Sequence, residues 1–228
     1  IQTIGDTQDR ELINIAAFET NAEDDLQETL RRCFRVEPDV ILLDPIDDAD
    51  DARVVAGCHD QCTMLTEISA PDAAAGLLKW SEWIGNPELA AESLCGVISQ
   101  KLIRRLCNEC KEAYKPNPNL LQKIGLDPEE ISVLYRKFRP NAELVEQGEE
   151  IEPCLKCNDN GYRGRVAIYE LIEMNDAIRK LLASGADLAE LRAAARQEDM
   201  LTLQKDAMRH VADGTTSLEE LQRVFKNA

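Results

Sequence analysis

Four of the eight cysteines fall into two pairs of identical spacing, Cys107-Asn-Glu-Cys110 and Cys154-Leu-Lys-Cys157. Two residues between thiolates let one turn of backbone aim both sulfurs at a single ion, and two such turns complete a tetrahedral S4 shell about 2.3 Å from the metal. The pattern predicts one structural zinc bound by Cys107, Cys110, Cys154 and Cys157. The 43 residues between the pairs leave room for a small inserted subdomain. Lys101, Arg104, Arg105, Lys111 and Lys156 would offset part of the double negative charge of zinc bound by four thiolates. The competing readings are four buried or disulfide-bonded cysteines, or a thioredoxin-like redox pair. Paired motifs are seldom accidental, and a redox pair needs only one Cys-x-x-Cys, placed after a strand at a helix N-terminus. Cys58 and Cys62 bracket His59 and offer a second metal set, although core or surface filling accounts for them as well. Cys33 and Cys95 sit in apolar surroundings and read as core.

Two Cys-x-x-Cys pairs in a 228-residue chain without a visible secretory signal favour metal and a reducing compartment over disulfides. There is no run of about 18 apolar residues and no basic segment leading into an apolar one, which argues against direct membrane insertion and against a signal peptide. Ile1 is not a start methionine, so a fragment or processed product is expected. The formal net charge of -17 excludes an ordinary nucleic-acid partner, which needs clustered Lys and Arg to displace counterions from phosphates. A basic protein surface is the partner such a charge suits.

The elements that must position these groups are legible up to about residue 100 as alternating helix and strand. Leu26, Leu30 and Phe34 recur at helical spacing within Glu23 to Arg35, and Val40-Ile41-Leu42-Leu43 is a short apolar run of the kind buried parallel strands carry. A helix from Asp48 to Gly57, a strand around Met64 to Ile68 and a helix from Asp72 to Ile84 continue the alternation, giving half of a doubly wound layer structure. Pro116, Pro118, Pro128, Pro140 and Pro153 then break the chain, leaving room for one helix at Glu129 to Arg139. That segment lacks enough apolar residues for its own core and calls for a staple. Beyond it, Arg165 to Ile172 reads as a strand, Asp187 as the N-cap of a helix through Arg196, and Thr216 with Glu219 as the capping box of the last helix.

Several of these segments together resemble the type II secretion and type IV pilus assembly ATPases. Gln100-Lys101-Leu102-Ile103-Arg104-Arg105-Leu106-Cys107, with Cys110-Lys111-Glu112 and Tyr114, is similar to the segment that opens that family's zinc subdomain. Cys157, Gly161-Tyr162-Arg163-Gly164-Arg165 and Ile168-Tyr169-Glu170 resemble the one that closes it. Met200, Thr202-Leu203, Asp206 and Gly214-Thr215-Thr216-Ser217-Leu218-Glu219-Glu220 resemble the C-terminal helices. The resemblance implies an α/β fold: a partial RecA-like, doubly wound domain of the P-loop NTPase type over 1–100, a four-cysteine zinc subdomain over 101–165, and a C-terminal strand and helices over 166–228.

Upstream the family's catalytic motifs are altered. Pro38-Asp39-Val40-Ile41-Leu42-Leu43 leads into a Walker B turn where the family has Gly-Glu-Ile-Arg-Asp and this chain has Asp44-Pro45-Ile46-Asp47-Asp48. The position of the catalytic glutamate is Pro45, which has no carboxylate to polarise water or reach magnesium. The histidine of Ser-Thr-Leu-His-Thr-Asn-Asp-Ala corresponds to Ser69. The acidic Glu-Asp-Pro-x-Glu turn corresponds to Gly5-Asp6-Thr7-Gln8-Asp9, so Asp6 and Asp9 are what remains of its acids. No Gly-x-x-x-x-Gly-Lys-Ser/Thr occurs in the chain. The acidic run Asp44 to Asp51 reads either as a magnesium site or as a solvated helix N-terminus. Arg31 and Arg35 occupy family positions that face nucleotide across subunits of a hexameric ring, and equally suit an exposed helix face.

The resemblance thus implies an assembly or interaction module of a secretion or pilus machine with structural zinc, in which the family's ATP and magnesium chemistry is lost. Its expected partners are protein subunits of that machine, in a homo-hexamer or mixed ring, and its expected place is the cytoplasm, peripheral to the inner membrane. The alternatives are the C-terminal part of an active motor whose P-loop lies upstream, and a zinc-binding adaptor.

Overall fold

The computed structural model describes residues 1–5, 13, 15–21, 23–138 and 153–226. Its β3, Val40–Leu43, is the predicted apolar run, and it sits inside a parallel sheet of order β2-β1-β3-β4, with β1 Gln2–Ile4, β2 Ala16–Ala17 and β4 Thr63–Leu65. Gln2, Thr3 and Ile4 stand opposite Ile41, Leu42 and Leu43, and Val40, Ile41 and Leu42 opposite Thr63, Met64 and Leu65. Strand β4 is shorter than the expected Met64 to Ile68. Past Leu65 the chain leaves the ladder, where the Thr66 hydroxyl donates to Asp44 O at 2.8 Å and Ile46 N–H donates to Glu67 O at 2.9 Å.

The intervening helices begin where short acids can cap them. Asp25 accepts from Glu28 N–H ahead of α1 (Leu26–Phe34), Asp48 from Asp50 and Asp51 N–H ahead of α2 (Ala49–Gly57), and Asp72 from Ala75 N–H ahead of α3 (Ala73–Ile84). Each such cap contributes about 1 kcal/mol. Gly85, at φ 72°, ends α3 in the left-handed conformation that a glycine adopts without strain. A short α4 (Pro87–Glu92) follows, with Pro87 at its first turn.

The chain divides into two compact units, Ile1–Ile98 with Leu171–Met200 and Ser99–Glu170 with Leu201–Ala228. The first holds the parallel sheet, α1 to α4, and two later helices, Asp176–Ala183 and Leu188–Gln197. Leu30, Ile41, Leu77, Ile172, Ile178 and Leu191 fill its core. Cys33 is buried there as expected, whereas Cys95, whose carbonyl accepts Met174 N–H at 3.1 Å, is exposed.

Strands β5 (Gly96–Leu106) and β8 (Tyr162–Glu173) pair with each other. Between them lie β6 (Glu112–Tyr114), α5 (Pro118–Lys123) and β7 (Leu134–Arg136), with β6 and β7 antiparallel. The helix expected over Glu129 to Arg139 does not form: a turn at 128–130 leads to β7, and Arg139 lies outside the described residues. Pairing decides this, since Leu134 sits opposite Tyr114 and is fully buried, while Arg136 reaches Glu112 at 3.2 Å across the ladder.

After β8 come α6 (Asp176–Ala183) and α7 (Leu188–Gln197) in the first unit, then α8 (Leu203–Ala212) and α9 (Leu218–Lys226) in the second. Asp187 is the expected N-cap, and Glu190 completes a capping box with it. At the last helix the cap falls one residue later than expected, and its acid, Glu220, turns to Arg104 and Arg223 instead of closing a box. Ser217 Oγ accepts Glu220 N–H at 3.3 Å, and the Thr216 hydroxyl instead donates to Arg104 O at 2.8 Å. The proline-rich segment gains its core from outside itself: Leu121 and Leu134 pack with Ile103, Ile168, Leu203, Val211 and Leu221.

Candidate metal centre and the ends of the parallel strands

The four predicted cysteines converge. Their Sγ atoms all lie within 4.8 Å of one another, with Cys107 Sγ 3.9 Å from Cys154 Sγ and Cys110 Sγ 3.6 Å from Cys157 Sγ. A tetrahedron with bonds of about 2.3 Å has edges of about 3.8 Å, so the spacing and the all-thiolate donor set both fit zinc. Each knuckle is closed by its own backbone: Cys110 and Lys111 N–H donate to Cys107 O, and Cys157 N–H donates to Cys154 O. In the second, Asn158 and Asp159 take positive φ of 49° and 58°, which returns the chain and lets Asp159 Oδ1 accept Cys154 N–H at 2.7 Å. Gly161 also has to be glycine, because a Cβ there would lie 2.5 Å from Lys137 Cβ.

The thiols are not equivalent. Backbone N–H groups of Lys156 and Cys157 point at Cys154 and hold it down at about 7. Burial pushes Cys110 far up, helped by its contact with Cys157, and burial also raises Cys157 although Gly161 N–H donates to its sulfur at 3.4 Å. A metal takes thiolates, so binding would displace protons from the raised pair.

Two of the basic residues near the knuckles have partners of their own. Arg104 donates its backbone N–H to Glu220 Oε1 at 2.9 Å and its Nε to Oε2 at 2.7 Å, and its guanidinium lies 4.2 Å from the Tyr162 ring centroid. Lys111 donates to Gly214 O at 2.9 Å and lies over Tyr135. Glu220 is fully buried and was not singled out in the sequence, where it reads as one more acid of an amphipathic helix. Burial alone would raise its carboxyl, but hydrogen bonds from Arg223 and Arg104 outweigh that and hold it at about 2.

Cys58, His59 and Cys62 do not join as a second metal set. Among the described residues only the tetracysteine group has three or more ligand atoms close enough, and His59 Nδ1 is 2.9 Å from Ala56 O.

Pro45 and Ser69, the positions the resemblance aligns with the family's catalytic glutamate and histidine, follow the carboxyl ends of β3 and β4, the side of an open α/β sheet where ligands bind. Pro45 is exposed at the end of β3, followed by buried Ile46. Ser69 is exposed, its carbonyl accepting Lys79 Nζ at 2.9 Å. Asp48, Asp50 and Asp51 form the first turn of α2, so the acidic run is in large part a helix N-terminus. Where the resembled family has glutamate and glycine, this chain has Gly5 and Asp44. The two residues are sterically coupled: a Cβ on Gly5, at φ 96°, would lie 2.0 Å from Asp44 Oδ2. Asp6 and Asp9 lie outside the described residues. Arg31 is exposed and bound to Glu28 at 2.8 Å, and Arg35 is exposed as the C-cap of α1.

A family profile described as "Type II/IV secretion system protein" matches residues 1–223. The chain belongs to that family. It is 31% identical over 225 residues to the type IV pilus assembly ATPase PilB of Thermus thermophilus, covering 96% of this chain and 24% of that protein. It is 30% identical over 231 residues to the type II secretion system protein HxcR of Pseudomonas aeruginosa, covering 100% and 43%. The chain therefore spans less than half the length of these relatives. In fold it resembles the RecA-like pilus retraction motor PilT, solved with bound ADP, at a TM-score of 0.61, 16% identity and coverage of 98% and 52%. The Legionella pneumophila ATPase DotB gives 0.59, 14%, and 100% and 51%. No helix among the described residues is long and apolar enough to cross a membrane.

Proposed function

We propose that this chain is a non-catalytic member of the secretion and pilus assembly ATPase family, serving as an assembly or protein-interaction module built around a structural zinc. The observation that carries the reading is the end of β3. Phosphoryl transfer is almost wholly positioning and electrostatics, and a carboxylate must face water and magnesium there. Pro45 offers no carboxylate, its fixed φ reshapes the turn, and Asp44 fills the space above Gly5. Ser69 lacks the imidazole of the family's histidine. Zinc, on this reading, is held by Cys107, Cys110, Cys154 and Cys157 and supplies folding energy rather than chemistry.

The partners proposed are basic surfaces on other subunits of a type II secretion or type IV pilus apparatus, engaged from the cytoplasmic side of the inner membrane, with a homo-hexameric or mixed ring as the assembly. The acidic charge that favours this lies wholly in the first unit, which has 27 acidic and 10 basic residues. A second reading, the C-terminal part of an active motor, is favoured by the short span of this chain on relatives named as ATPases. Phosphate release in the presence of magnesium and ATP separates the two, measured on this chain, on its Pro45→Glu variant and on any longer natural form. The proposal expects none from all three. Steady release from a longer form would replace it with the second reading.

A further inference from the structure

The turn at 213–217 is laced to the segments that carry three of the four cysteines. Leu106, which precedes Cys107, donates its N–H to Thr215 O at 2.8 Å. Lys111, which follows Cys110, donates to Gly214 O at 2.9 Å. Tyr162, five residues past Cys157, shares a 2.8 Å hydrogen bond between its hydroxyl and Ser217 Oγ. Gly214 is seated against Tyr135, since a Cβ there would meet Tyr135 Cδ2 at 2.5 Å. Immediately after the turn, α9 presents Glu220, whose fully buried carboxylate is gripped by Arg104 and Arg223. Arg104 in turn stacks on Tyr162 and receives the Thr216 hydroxyl at its carbonyl.

We propose that zinc binding and the docking of the 213–217 turn with α9 form one cooperative unit, so that the metal controls whether the C-terminal helix is held or released. The core of this unit joins α8 and α9 to β5 through Leu203, Val211, Leu221 and Ile103, and the turn, besides its bonds back to His210 and Val211 and its seat on Tyr135, is tied to residues flanking the cysteines. Opening the metal site removes the fixed positions of Leu106, Lys111 and Tyr162 together. The turn then loses three hydrogen bonds at once, and the Glu220 carboxylate faces Arg104 on a strand end no longer held. Linkage makes the effect reciprocal: whatever loosens α9 must weaken zinc by the same factor. The chain thereby carries a releasable C-terminal helix whose latch is a metal ion.

The inference rests on zinc being the ligand of the four cysteines, so elemental analysis of the untreated chain comes first. A stoichiometry near zero defeats the zinc reading itself. With one zinc present, amide hydrogen exchange is compared in the intact chain before and after chelation under reducing conditions, and zinc affinity is measured by competition with a chromophoric chelator. The expected result is that chelation exposes amides 214–226 together with 107–111 and 154–161 while 49–84 stay protected. Glu220→Gln should weaken zinc about tenfold and Lys111→Met about threefold, the second variant leaving the buried pair intact should the first not fold. Amides 214–226 that stay protected without zinc, or wild-type zinc affinity in both variants, would overturn the coupling. Loss of protection over 49–84 as well would overturn the local unit in favour of global unfolding.

Discussion

The two units of this chain are stabilised by opposite means. The first carries all of the net charge, 27 acidic residues against 10 basic, over a parallel sheet buried by helices, and its acids act chiefly at the surface and as helix caps. The second has 16 of each, a smaller core, and one acid, Glu220, placed inside it between two arginines. An acid at a helix N-terminus or on the surface keeps most of its hydration, and its charge costs little beyond repulsion from neighbouring acids. One inside a small core must be paired and hydrogen-bonded, and then becomes hard to remove. The first unit tolerates changes of charge, while the second depends on a few specific bonds.

Cys154→Ser should have the largest effect, loosening residues 107–111 and 154–165 first and costing several kcal/mol of the second unit's stability, because binding energy of the metal is also folding energy. Limited proteolysis read by mass spectrometry checks it. First cuts in the parallel-sheet unit would contradict the comparison. Glu220→Gln comes next, at about 2–3 kcal/mol, since it strands two partly exposed arginines rather than fully buried ones. The pH dependence has a definite sign. With the folded carboxyl at about 2 and the free one near 4.3, its stabilisation is complete above about pH 4.3 and is lost as pH falls toward 2. Denaturant midpoints should therefore drop more steeply over that window in the parent chain than in the variant. Gly5→Ala should cost about 1–2 kcal/mol in the first unit, from positive φ and the collision with Asp44, and Asp44→Ala should recover the steric part. The smallest effect is that of salt: raising sodium chloride to 0.5 M, where the Debye length falls to roughly 4 Å, should screen the first unit's self-repulsion and lift its melting temperature by about a few degrees while leaving the second unchanged.

What was legible in the sequence follows the same division. In the first unit local signals and tertiary structure agree: Val40 to Leu43 had one use, and Asp48, Asp72 and Asp187 cap helices as their positions required. The ligand set was equally readable, since Cys-x-x-Cys spacing is a statement about local backbone. The second unit was readable only in part because its elements are decided by partners distant in sequence. Leu134 to Arg136 pair with residues twenty or more positions earlier, and that ladder overrides a helical pattern. Glu220 gave no signal of burial, because one of its two arginines, Arg104, lies 116 residues away. The exchange at Gly5 and Asp44 was visible as two unrelated departures, and only the parallel register of β1 and β3 joins them.

The most direct test of the non-catalytic reading is calorimetric titration of magnesium and ATP into this chain and into any longer natural form of it, with phosphate release followed on the same samples. Tight binding in P-loop proteins rests on backbone N–H groups and a lysine around the phosphates, and turnover rests on a carboxylate where Pro45 stands. The account predicts no micromolar binding by the chain and no release of phosphate by either form. Micromolar binding by the chain, or sustained release by the longer form, would contradict it.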